Sequence, residues 1–583
     1  MNPRNFFSEL KRRNVYKVAV AYAVVGWLVM QVAATVVPAL HLSDAITSAV
    51  VVLVLLGFPI ALVVAWAFEL TPAGIKRTEE VSPHEHIPQW SRRKFAALMV
   101  GVALLAAALL IFQFSRKNGA IQRSAVPLEQ REKSIAVLPL VNQSGDPAQE
   151  YFSDGLSEEL INGLGQIHEL RVIGRNSSFH FKGKSDDSRA VGQALGVANL
   201  LEGSVRKAGD RVRITVQLVD AANGSQRWSQ TFDRELKDIF AVQEEIAKSV
   251  ADQLRVTLLG GEVAASARPS NGSLEAYNAY LQGSHYTTSA NLEGLTKAVE
   301  FFDEAIRLDP RYAEAYAMKA LAWSLIGYFR GVKGTEAFAQ ARVLAKAAFA
   351  IKPDLPRARV VLAYINITAD WDLAAAEAEL ERAGDKTPGR PNVLAIVRSC
   401  QGRLDEAIQL QKQAIARDPA NYIFQSNLGL YLISAGLYDQ AESMLRKAIE
   451  LQPQASGVHF DFVLLALLRG QPEVAWREAQ LEPSGVFHDV SIAIAQAARG
   501  DRAEADAALK VLIDAHGEEA PFRIAGVHAY RKDPDKVFEW LERAYALHDP
   551  RLIRVLADPL LRPYQSDARF AAFCTRLGLP VPK

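Results

Sequence analysis

Five prolines, Pro310, Pro353, Pro388, Pro419 and Pro453, punctuate the second half of this 583-residue chain at gaps of 43, 35, 31 and 34 residues. Between them, small and apolar residues recur at helical spacing, and each proline then stops a helix. A helix pair of that size cannot bury its apolar face alone and must stack on its neighbours. The best-formed unit runs from Tyr422 to Pro453. There Leu428 and Gly429 allow one helix to approach the other, and Ala441 and Ala448 are the small residues that let the pair close. Ala407 and Ala414 precede Pro419, and Ala376 and Ala383 precede Pro388, in the same pattern. Ala298, Phe302 and Ala305 precede Pro310, with the first helix there (Tyr277 to Tyr286) one turn early. After Pro453 the pattern decays through Gly470 and Ala475, Gly500 and Ala505, and Leu541 and Ala544. Asp558 to Phe570 is atypical and reads as a cap on about eight pairs.

The gaps straddle the roughly 34 residues of a tetratricopeptide (TPR) repeat, so 273–583 is read as a C-terminal α-solenoid of TPR helix pairs. Such a stack supplies a groove, and Asn278, Lys319 and Asn427 are the candidates to line it and hold a protein or peptide partner.

Three uncharged apolar stretches, 18–37, 50–68 and 95–114, lie near the amino terminus. Each is close to the roughly 20 residues of a membrane-crossing helix, so 1–117 is expected to be an all-α anchor of three transmembrane helices in contact with a lipid bilayer. Basic residues flank it unevenly. Arg4, Lys11, Arg12, Arg13 and Lys17 precede the first stretch, and Lys76, Arg77, Arg92, Arg93 and Lys94 precede the third. The turn between the first two has no Lys or Arg. That bias expects a bacterial inner-membrane protein with its bulk in the periplasm, against the contrary pull of Arg116, Lys117 and Arg123. The net charge of +1 gives no field that favours nucleic acid, and none is expected as a partner. Two distant cysteines, Cys400 and Cys574, make neither a disulfide framework nor a zinc site.

After a polar linker, 118–133, the segment 134–259 alternates strand and helix patterns. Ser134 to Val141 is a continuous apolar run, the signature of a strand buried on both faces. A helix over Tyr151 to Ile167, a strand over Leu170 to Ile173 and a short helix over Ser188 to Leu195 follow. Asn199 to Val205 reads as a strand, and Val212 to Val219 alternates with period two. Gln226 to Phe232 returns as its hairpin partner, Ile239 to Leu258 closes the unit as an amphipathic helix, and 260–272 is a second linker. The whole is expected to be multi-domain: anchor, α/β domain, solenoid.

Ile135-Ala-Val-Leu-Pro-Leu, Tyr151-Phe-Ser-Asp-Gly-Leu-Ser-Glu-Glu-Leu160, Leu201-Glu-Gly-Ser-Val205 and Trp228-Ser-Gln-Thr-Phe-Asp233 resemble the TolB amino-terminal-like domain. Its relatives occur in CadC-like sensors and in proteins labelled adenylate cyclase with TPR repeats. Phe6 to Asn14 and Ala67 to Arg77 resemble a membrane anchor often fused to that domain. The resemblance implies architecture more than chemistry: a non-enzymatic scaffold or sensor that binds protein partners. A nucleotide-cyclase-related signalling protein is the alternative, although every segment is already assigned and no room remains for a catalytic domain. A CadC-like regulator would need a DNA-binding domain before the first apolar stretch, where only 17 residues stand.

No motif adds catalysis, a cofactor or a metal. Gly183-Lys184-Ser185 has the tail of a phosphate loop, but Ser178 stands where the first glycine is required. His84-Glu85-His86 lies in a short loop with adjacent histidines pointing apart. Asp154, Glu158 and Glu159 suit a helix start, where the dipole favours acids.

Overall fold

The structure, a computed structural model, describes residues 22, 26, 29, 30, 54, 57, 58, 68–71, 74–77 and 133–582, apart from 168, 185–186, 255, 257–267, 288–290 and 331–333. The chain divides into two units, 1–125 and 126–583.

In the first unit, β1 (Phe68–Thr71) pairs antiparallel with β2 (Gly74–Arg77). The Tyr22 hydroxyl donates to the Val54 carbonyl at 3.0 Å, and its ring centre lies 5.6 Å from that of Phe58. Apart from a few positions, the stretches 18–37 and 50–68 lie outside the described residues, as 95–114 does entirely. Among the described residues no helix is long and apolar enough to cross a membrane. The expected three-helix transmembrane anchor, with the lipid contact read from it, is therefore not supported. Hydropathy alone does not distinguish apolar surface buried in lipid from apolar surface buried on a neighbour, as Tyr22 is on Phe58. Phe68, expected to close the second span, opens a strand instead.

The second unit begins with a sheet: β3 (Ser134–Val137), β4 (Val141–Asn142), β5 (Arg171–Val172), β6 (Asn199–Ala208), β7 (Arg211–Asp220) and β8 (Gln226–Glu235). Helices α1 (Glu150–Gly165), α2 (Arg175–Phe179), α3 (Ser188–Leu195) and α4 (Ile239–Gln253) punctuate it. The strand order is β5-β3-β6-β7-β8, with β4 also beside β6. β3 runs parallel to both neighbours, and Ile135, Ala136 and Val137 are wholly buried, as a strand covered on both faces must be. The apolar run from Ser134 is not one strand, because Pro139 has no N–H to give the ladder. The ladder resumes at β4. A short helix, α2, also forms between the expected strand at Leu170 to Ile173 and the expected helix at Ser188 to Leu195.

Among the described residues eight helix pairs follow. They are α5 (Leu274–Thr287) and α6 (Leu292–Leu308), α7 (Ala313–Arg330) and α8 (Thr335–Ile351), α9 (Pro356–Ile365) and α10 (Leu373–Ala383), and α11 (Arg390–Cys400) and α12 (Leu404–Arg417). The stack continues with α13 (Tyr422–Ser434) and α14 (Tyr438–Leu451), α15 (Val458–Leu468) and α16 (Pro472–Leu481), α17 (Val486–Arg499) and α18 (Arg502–His516), and α19 (Pro521–Tyr530) and α20 (Pro534–Ala546). Helices α6, α8, α12 and α14 each end two residues before one of the punctuating prolines, because the residue before proline avoids the helical region. Asn421 caps α13 by accepting from the backbone of Ile423 and Phe424. Gly429 is a close approach: a Cβ there would lie 2.6 Å from Leu445 on α14.

The stack curls back on itself. Beyond α9 the backbone widens into a π turn, Asn366–Asp370, and Trp371 takes φ 56°. Its ring stacks on His548 at 4.0 Å, and His548 Nε2 donates to the Ala369 carbonyl. After α20 the chain returns through the 3-10 turns Leu552–Arg554 and Arg562–Tyr564 to α21 (Ala568–Arg576). Ser434 Oγ donates to the Ala557 carbonyl at 2.6 Å. The segment after α20 thus packs against α11 and α13 as well as covering the end of the stack.

Candidate ligand cavity between the sheet and the solenoid

Two clusters of contacts hold most closely where the sheet docks on the solenoid. In the first, α1 packs on α5, with Gly155 so close that a Cβ would lie 2.6 Å from the Leu281 side chain. One apolar core runs from Ile135 and Leu156 through Tyr277 and Phe302 to Ile326, so the sheet domain and the first repeats are buried together. The second contact is polar. Asp418, in the turn between α12 and α13 and 7% exposed, accepts from the Ser177 backbone N–H at 2.8 Å and from Asn176 Nδ2 at 2.9 Å. The Ser177 hydroxyl also donates to it, while that hydroxyl accepts from the Ala420 N–H at 2.7 Å. An acid from the solenoid therefore caps the start of α2, whose own N-cap, Gly174, has no side chain to do so. The Gly174 N–H donates to the Arg417 carbonyl at 2.7 Å, and a Cβ on Gly174 would lie 2.7 Å from Asp418.

Between these contacts lies a cavity of about 1340 Å³. The end of α1, β5 and α2 form one side of it, and the first helices α7, α9, α11, α13 and α15 form the other. Basic side chains on its wall outnumber acidic ones eight to four. Some are paired: Arg175 with Glu158 at 2.9 Å, and Lys133 with Glu169. Arg357 donates to Asn162 at 3.2 Å and reaches the Met318 sulfur at 3.1 Å. Arg523 is flanked by the rings of Phe460 and Phe487, 4.8 and 5.1 Å from their centres. Arg554 enters from the returning C-terminal segment. Asp461, otherwise surrounded by apolar residues on α15, accepts from the Ser426 hydroxyl at 2.9 Å. Burial pushes its carboxyl up to about 7, against the pull of that hydrogen bond and of Arg523. Nearby in the α1–α5 interface, burial and then Glu158 push Glu159 up to about 7, with Arg357 opposing.

Of the three candidate groove residues, only Asn427 lines this cavity, its Nδ2 donating to Asn392 at 3.0 Å. Lys319 instead pairs with Asp303, and Asn278 is half-buried on α5 away from the cavity wall. The acids of α1 separate. Asp154 pairs with Lys182 at 2.6 Å; burial works to raise its carboxyl, but hydrogen bonds from His285 and Lys182 outweigh it and hold it low. Gly183 takes φ 71° in a turn, and Lys184 Nζ lies 2.9 Å from His180 Nε2. His84 to His86 lie outside the described residues, among which no His, Cys, Asp and Glu cluster is placed to hold a metal. Cys400 and Cys574 are both buried and free. Arg523, Arg554 and Asp461 were not singled out from sequence, although a lone acid inside the apolar run Val458 to Leu468 is a readable signal.

Fold and cavity together define a helical-repeat protein with an α/β domain docked on the stack. A tetratricopeptide repeat family profile matches 401–473, so the chain carries TPR repeats. A Rhizobium meliloti (strain 1021) protein named "Putative adenylate cyclase 3" is 42% identical over 186 residues, which cover 32% of this chain and 31% of that protein. The chain thus spans about a third of the length of the curated relative it matches. Among solved structures, a Pseudomonas aeruginosa pilF structure matches at 20% identity and TM-score 0.28, over 35% of this chain and 92% of that one. PilW, described as a type IV pilus biogenesis factor, matches at 17% identity and TM-score 0.29, over 41% and 99%. Likeness at that level carries no functional argument.

Proposed function

We propose that this chain is a non-enzymatic scaffold that binds protein partners through its repeat stack. The observation that supports the reading most is the stack of helix pairs in which the first helices α7, α9, α11, α13 and α15 face one cavity, with the paired amides of Asn427 and Asn392 on its wall. Side-chain amides offer both donors and acceptors, which suits an extended peptide backbone. The experiment is crosslinked capture from cells by the full chain and by an Asn392→Arg, Asn427→Arg variant whose fold is checked by circular dichroism. Specific proteins held by the first and lost by the second are expected. An identical set from both would sink this groove as the binding surface.

A second reading, a signalling protein related to nucleotide cyclases, draws on the name of the Rhizobium relative and its 42% identity. Purified chain with ATP and magnesium or manganese is expected to make no cyclic product. Turnover that scales with protein and survives repurification would favour the second reading.

A further inference from the structure

We propose that the part of the cavity lined by α7, α9, α19 and the Leu552–Arg554 turn is a binding site for a phosphoryl anion carried by a small molecule, held by Arg554 and Arg523 with the Tyr328 and Tyr364 hydroxyls. This goes beyond the scaffold reading and stands without it.

Four observations converge. Arg554 and Arg523 both line the cavity, and among the described residues neither guanidinium has a hydrogen-bond or ion-pair partner. Arg523 Nε is fully enclosed and unbonded. The Tyr328 and Tyr364 rings stand 6.4 Å apart on α7 and α9, and both residues lie within electrostatic reach of Arg554. Their hydroxyls also have no partner among the described residues. A buried donor left without an acceptor is costly, as Arg523 Nε is, and the three other unpartnered donors line the same space, so the wall is arranged for an acceptor.

The charge balance points to an anion. The acids that face the two arginines are Asp461 and Asp558, and burial raises the carboxyl of each, which works against the charge that would neutralise the arginines. Arginine stays charged throughout. The geometry points to phosphoryl rather than carboxylate. The donors come from three directions: α19, the Leu552–Arg554 turn, and the α7 and α9 helices. A carboxylate offers two oxygens in one plane, whereas a phosphoryl group offers three acceptor oxygens spread around a tetrahedron. The sheet domain forms the opposite side of the cavity, which leaves the part lined by Arg554 and Arg523 to a small molecule.

The test uses the full chain and three probes: inorganic pyrophosphate, ADP and malonate. Pyrophosphate and ADP separate a free phosphate from a nucleotide, and malonate is the carboxylate control. Isothermal titration should show one or both phosphoryl probes binding, with malonate at least about tenfold weaker. Arg554→Gln should weaken the phosphoryl probe by about ten- to a hundredfold, the size of one charged hydrogen bond, and Arg554→Lys should restore part of it. Should the variants fail to fold, the native chain decides: phenylglyoxal modification of Arg554, read by peptide mass, should slow when the probe is present. No binding by either phosphoryl probe, equal binding of malonate, or Arg554 labelling unchanged by the probe would each overturn the proposal.

Discussion

Removing the Asp418 carboxylate tests whether the sheet domain and the solenoid are one cooperative body. The carboxylate accepts from the Ser177 N–H at 2.8 Å, from Asn176 at 2.9 Å and from the Ser177 hydroxyl. Hydrogen bonds to a charged group contribute roughly 1.5–3 kcal/mol each, and loss of a helix cap costs roughly 0.5–2 kcal/mol. These overlap, because the Ser177 N–H is both the bonded donor and the capped group. Asp418→Ala should therefore lower the free energy of opening at this contact by about 3–5 kcal/mol. Asp418→Asn, which keeps an acceptor but no charge, should lose about half of that. Hydrogen exchange on the full chain reads it directly. Protection should fall in 175–179 and in 418–425 together, while β6 and β7 stay protected through the separate α1–α5 contact. Unchanged exchange in 175–179, or a loss spread evenly over the sheet, would refute the cap.

Three further outcomes follow from the same structure. Glu159 binds a proton in the folded chain up to about pH 7, whereas an unfolded glutamate releases it near its ordinary value of 4.5. Its contribution is therefore favourable below about 4.5 and lost as pH rises through about 7, a change of about 3 kcal/mol at ~1.4 kcal/mol per unit. Urea midpoints of the native chain at pH 5 and pH 8 should differ by more than those of Glu159→Gln; equal differences would remove Glu159 as the cause. Gly429→Trp should destabilise by about 3 kcal/mol or more, since even a Cβ there meets Leu445 at 2.6 Å, with protection lost first over 422–451. Asp549 is fully buried against Arg551 at 2.8 Å, so Asp549→Ala should cost about 3–5 kcal/mol in a thermal melt; a shift near zero would mean that the cation finds another acceptor.

The repeat was legible because its signals are local. Pro310, Pro353, Pro419 and Pro453 stop helices in sequence, and Ala441, Ala448 and Gly429 mark close contacts within one pair. The strands were legible for the same reason, down to the period-two alternation of β7. The three-helix anchor failed on the opposite ground, since an apolar run does not state what buries it. The cavity was not legible because its chemistry is assembled from afar. Tyr328, Tyr364, Arg523 and Arg554 sit on different elements, and nothing local to Arg523 says that the stack curls until it faces Tyr328. Asn278 and Lys319 lie off the cavity wall, since position within a repeat does not say which side chains find a partner first, as Lys319 finds Asp303.

The Asp418 cap also has a consequence in time. Ser177 and Asp418 are 241 residues apart. At about 5–20 residues per second, a ribosome needs roughly ten to fifty seconds to make the second after the first. Throughout that interval α2 has no cap and the sheet's cavity-facing side has nothing to rest on. The nascent chain is thus most vulnerable after the sheet has formed and before the fourth helix pair has emerged, and a pause in translation within the repeats would lengthen that exposure.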